Sequence, residues 1–103
     1  MSNDSQVSRI GHMERCLDDV TKAVKRLNEA IDKYEAVQDV IAALDAYYGS
    51  CEWRQDLADD EAGRLPAGLK RGVLSQDGIW NLLTDCRDLN TRLQELAKKL
   101  SPK

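Results

Sequence analysis

The chain has 103 residues, which fits a single domain spanning 1–103, with 42% hydrophobic and 32% charged residues and a formal net charge of -3. This balance gives no overall attraction to nucleic acid or to anionic lipid, so we expect neither as a partner. The apolar runs are only a few residues long, which excludes a membrane-spanning helix.

The first half of the chain predicts one long amphipathic helix over about residues 5–48. Apolar residues recur there at steps of three and four, and no proline interrupts them. Over 10–34 the steps alternate between three and four, as in a left-handed coiled coil. Two steps of three meet at Tyr34 and Val37, which predicts a slip in the heptad register. The opposite face carries charges of both signs, which is typical of a solvated surface.

A connecting segment follows over 49–74, and it holds four of the six glycines. Its first part is acidic and predicts a short helix over about 52–60, with Trp53 and Leu57 facing inward. Glycines and a proline then interrupt any longer element. A connection of this length is often functional, but it can also simply cap the end of a hairpin, and the sequence leaves both interpretations open.

The last helix is predicted over about 76–100. Ser75 is a strong N-cap, and Leu74 with Ile79 has the spacing of a hydrophobic staple. From that point the apolar positions follow strict alternating steps of three and four: Ile79, Leu82, Cys86, Leu89, Leu93, Leu96 and Leu100. This is a heptad seam that matches the first one.

We therefore predict an all-α fold, an antiparallel long-helix hairpin of coiled-coil type with a structured connecting segment that contains a short helix. The last helix is much shorter than the first, so part of the first seam should lack a cover. An exposed apolar stripe is costly in water, at about 25 cal/mol per Å². The candidate partner-binding residues are accordingly those of the uncovered seam, Ile10, Met13, Leu17 and Val20.

The connecting segment supplies a second candidate partner-binding surface, formed by Trp53, Arg64, Lys70 and Arg71. The same segment carries acidic residues that could hold a divalent cation through oxygen, namely Asp56, Asp59, Asp60 and Glu61. Their spacing is not that of a calcium-binding loop, and an acidic run before basic residues is more often a set of intramolecular ion pairs. We expect no metal site and no cofactor.

Catalytic chemistry has little support in this sequence. His12 and Cys16 are four residues apart on a helix, where a nucleophile pair is formally possible, but no acid or oxyanion donor accompanies them. The three cysteines, Cys16, Cys51 and Cys86, are odd in number and widely spaced, which argues against a disulfide framework. The first residues carry an acid and no apolar core, unlike a secretory signal. We expect a cytoplasmic protein that is not an enzyme.

Three consecutive tracts carry a family resemblance: 47–53 reads YYGSCEW, 60–66 reads DEAGRLP, and 69–80 reads LKRGVLSQDGIW. Together with the flanking helices they resemble a bacterial family defined only as a domain of unknown function, DUF4298. Cys51 and Gly78 depart from the family pattern, which has an acid and a better helix former there. The resemblance implies a bacterial origin and no established activity.

The sequence favours a protein-interaction module that acts through helix packing, with a protein partner or a second copy. By analogy of class it would be an inhibitor, an immunity protein or an accessory subunit. One alternative is a structural homodimer with no separate ligand. Another is a metal- or ligand-binding protein that uses the acidic connecting segment.

Overall fold

A computed structural model describes residues 3–75 and 77–102 of the chain. The described residues form helices and contain no strand, which confirms the all-α class. A long helix comes first in the chain, and shorter helices follow it. The elements are α1 (Asn3–Ala36), α2 (Gln38–Tyr47), α3 (Cys51–Glu61), a 3₁₀ turn (Gly72–Leu74) and α4 (Gly78–Leu100).

The prediction of one uninterrupted helix over 5–48 is wrong at a single point, Val37, where α1 ends and α2 begins. The Val37 amide donates to the Tyr34 carbonyl oxygen at 3.3 Å, and the Gln38 side-chain amide donates to the same oxygen at 2.8 Å. A bond across three residues tightens the turn toward 3₁₀ geometry, which has three residues per turn. That geometry suits the consecutive three-residue steps at this position, so the predicted register slip appears as a helix break.

The chain divides between Gln38 and Asp39 into two units. The first unit contains α1, and none of the residues of that helix is buried. The second unit contains α2 from Asp39 onward, the elements that follow α2, and the buried core. No helix in the described part of the chain is long and apolar enough to cross a membrane.

Hydrogen bonds between residues close in sequence define both ends of α3, the helix predicted over about 52–60. Ser50 caps its start, because its hydroxyl oxygen accepts from the Trp53 amide at 3.1 Å. At its end the Gly63 amide donates to the Asp60 carbonyl oxygen and the Arg64 amide to that of Asp59. This pair of bonds is a Schellman motif, and the φ of +72° at Gly63 supplies the left-handed residue that it needs.

The core of the second unit lies where the 3₁₀ turn meets α4. Leu74, Ile79 and Leu83 are the buried hydrophobic residues of the described chain. The 3₁₀ turn contacts both α3 and α4. Burial of Leu74 and Ile79 on either side of the helix start agrees with the predicted hydrophobic staple.

The Ser75 side chain bonds the first amide of α4, as predicted for a cap, although the residue directly before the helix is Asp77, whose side chain makes no capping hydrogen bond. The Ser75 hydroxyl oxygen accepts from the Gly78 amide at 3.0 Å, and the same hydroxyl donates to the Gly72 carbonyl oxygen at 2.9 Å. The predicted helix start at about residue 76 lies outside the described residues, and α4 is helical from Gly78 onward.

Gly78 stands where a better helix former was expected, and its surroundings explain why glycine is required. A Cβ atom built at Gly78 would lie 2.6 Å from the Gly72 carbonyl oxygen and 2.7 Å from the Ser75 hydroxyl oxygen. The first of these atoms belongs to the backbone and cannot rotate away. The 3₁₀ turn therefore packs so closely on the first turn of α4 that no side chain fits between them.

We expect Gly78→Ala to destabilise the fold by about 1–3 kcal/mol, because the added methyl group forces the 3₁₀ turn away from α4. Gly11→Ala is the matched control, since a Cβ atom there meets nothing within 4 Å. By helix propensity alone it should stabilise the chain by about 1 kcal/mol. Urea unfolding followed by far-UV circular dichroism measures both changes, and a stability gain in both variants would contradict the close contact.

Candidate interaction surfaces

The first candidate surface is the α1 stripe, defined as Ile10, Met13, Leu17 and Val20. All four side chains are exposed, with fractional exposures between 52% and 62%. Steps of three and four place them on one face of α1. The exposure continues to Val24 and Leu27, so the open apolar face is longer than the sequence predicted. A contiguous apolar stripe of this kind is the typical docking face of a helix.

Two acidic residues lie away from the α1 stripe, because neighbouring residues of an α-helix are about 100° apart around its axis. Glu14 follows Met13 directly in sequence, and Asp18 follows Leu17. The Sγ atom of Cys16 lies 3.7 Å from the Nε2 atom of His12, so the two side chains that sequence reasoning considered as a nucleophile pair do touch. They lie on the surface of one helix, and a contact of this kind needs no catalytic explanation.

Three residues of the second candidate surface are engaged in contacts within the chain. The Trp53 indole N–H donates to the Val73 carbonyl oxygen at 3.0 Å. Arg64 pairs with Asp59 at 3.0 Å, and Arg71 pairs with Asp60 at 2.7 Å. These contacts hold the connecting segment against α3. Partner binding through this set stays a prediction, with internal roles for three of its four members.

Lys70, the fourth member, has no ion pair within the described residues and lines a surface groove in the second unit. The groove has a volume of about 370 Å³ and is bounded by α2, the 3₁₀ turn and α4. We call it the α2–α4 groove, and its lining consists of Leu44, Lys70, Gly72, Val73, Gly78, Ile79 and Leu82. Lys70 is the charged residue among these otherwise apolar or glycine residues.

The sequence pattern does not indicate the α2–α4 groove. Leu44 and Leu82 belong to the predicted apolar stripes, and Val73 was expected to pack the connecting segment onto the helices. The spacing of apolar residues predicts which side chains pack against other apolar groups, but it does not predict where space remains between the packed elements. In the structure Ile79 is only 3% exposed, whereas Val73 and Leu82 are 41% and 42% exposed. The groove therefore has a buried base and open sides.

The acidic residues of the connecting segment do not form a metal-binding cluster. Within 3–75 and 77–102, no group of three or more His, Cys, Asp or Glu side chains is arranged to hold a metal ion. Asp59 and Asp60 are paired with arginines instead. The Asp56 carboxylate accepts a hydrogen bond of 2.6 Å from the Tyr47 hydroxyl, which joins α2 to α3.

Because these carboxylates already have partners, we expect Ca²⁺ or Mg²⁺ to leave the melting temperature unchanged. The measurement is a thermal melt with and without each cation, repeated on Asp59→Asn combined with Asp60→Asn. A rise in melting temperature that the double variant abolishes would restore the metal-binding alternative.

The hydrogen bond to Asp56 raises the pKa of Tyr47 to about 12 from its ordinary value of 10.0. Partial burial of the phenol and the negative charges of Asp56 and Glu52 act in the same direction. The folded chain therefore holds the phenol proton more tightly than the unfolded chain does. The stability that this proton supplies is fully present below about pH 10 and is lost as the pH rises through about 12.

We expect the wild-type protein to lose stability more steeply than Tyr47→Phe over this alkaline range. Asp56→Asn should show the same shallow pH dependence of stability as Tyr47→Phe. Without the Asp56 carboxylate, the Tyr47 phenol loses its charged hydrogen-bond acceptor, which is the main cause of its raised pKa. Urea unfolding midpoints at a series of pH values provide the measurement. Equal pH slopes in the three proteins would show that the Tyr47 proton does not contribute.

The family model described as "Domain of unknown function (DUF4298)" matches residues 10–96, which is most of the chain. The match includes α2, α3 and the 3₁₀ turn entirely, together with most of α1 and α4. No curated protein and no solved structure matches the chain significantly. The extent of the family match confirms the resemblance seen in the sequence, and the chain belongs to the DUF4298 family.

Proposed function

We propose that this protein is a non-enzymatic interaction module that binds another polypeptide by helix packing. The observation that carries this proposal is the exposure of the whole α1 stripe, from Ile10 to Val20. Burying such side chains against a partner helix removes apolar surface from water, which favours association by about 25 cal/mol per Å². Ile10, Met13, Leu17 and Val20 are the proposed anchors.

The chemistry of the remaining surface supports binding over catalysis. The titratable residues of the connecting segment include two carboxylates paired with arginines and one that accepts from a tyrosine. The Cys16–His12 contact lies on the exposed face of a single helix. Catalytic groups are instead usually brought together in a cleft, where burial and neighbouring charges tune their pKa values.

The proposed setting is the bacterial cytoplasm. Cys16, Cys51 and Cys86 are all free thiols, as a reducing compartment would maintain them. A small acidic helical protein in that setting suits the role of an inhibitor, an immunity protein or an accessory subunit, each of which acts by covering part of another protein. This choice of roles rests on analogy of class.

Leu17→Glu tests the proposal, because it places a charge at the centre of the α1 stripe. The variant and the wild-type protein serve as baits for capture from bacterial lysate, and partners are identified by mass spectrometry. Lys22→Glu is the matched control, since it alters charge on the opposite face of the same helix. We expect loss of a specific partner with Leu17→Glu, by at least about 30-fold in affinity, and retention with Lys22→Glu.

Far-UV circular dichroism of both variants checks that α1 remains helical. If a partner binds all three proteins equally well, the α1 stripe is not its docking site. If Lys22→Glu alone releases it, the polar face of α1 binds instead.

The structural homodimer is the second candidate, and the regular heptad spacing of the α1 stripe favours it. It differs from the leading proposal in one measurable property. The isolated protein would already have twice the mass of one chain by light scattering after size exclusion.

A further inference from the structure

No further inference is drawn: the strongest candidate, the α2–α4 groove of the second unit with Lys70 as the charged residue of its lining, carries nothing because nothing in the structure shows what covers it.

Discussion

The close contact between the 3₁₀ turn and the start of α4 organises the second unit. Two hydrogen bonds of the Ser75 hydroxyl tie the Gly72 carbonyl oxygen to the Gly78 amide, and the absence of a side chain at Gly78 lets the two backbones meet. Leu74 and Ile79 are buried at this junction. The Trp53 indole N–H also links α3 to the same turn, by donating a hydrogen bond to the Val73 carbonyl oxygen. Hydrogen bonds thus fix the backbone around a small core of three buried side chains within the described residues.

The same contact also shapes the α2–α4 groove. Gly72 and Gly78 contribute no side chains, so they leave space between Leu44 on α2 and Leu82 on α4. Ile79 points its apolar surface into that space from the buried side. The contact that orders the second unit therefore also leaves space for the α2–α4 groove, and Gly78→Ala, which would disturb this contact, would alter the groove.

Local sequence signals predicted much of this structure. The spacing of apolar residues gave the helical class and the α3 and α4 segments, because helix periodicity is a property of neighbouring residues. The Ser75 cap was predictable because its hydrogen bond spans only three residues. The two three-residue steps at Tyr34 and Val37 marked the break between α1 and α2, although they indicated a register slip and not a helix end. The α1 stripe was predicted residue by residue, and its longer exposed extent was not.

What the sequence could not predict depends on contacts between segments far apart in the chain. Trp53 and Val73 are twenty residues apart, and nothing in either neighbourhood specifies their hydrogen bond. The pairing of Arg71 with Asp60 has the same character, since any of several nearby acids was an equally good partner in the sequence. For the same reason three residues that looked like a free binding surface proved to have internal partners.

The ion pair between Arg71 and Asp60 has a consequence for how rigid the α2–α4 groove is. Arg71 lies between Lys70 and Gly72, both of which line the groove, and its own side chain is partly exposed to solvent. Surface ion pairs of this kind contribute about 1 kcal/mol or less and weaken as salt is added. The wall of the groove formed by Lys70 and Gly72 is thus held by a weak ion pair, which thermal motion can break. The position of this wall should therefore depend on ionic strength, whereas the side formed by Ile79, which is buried, should not.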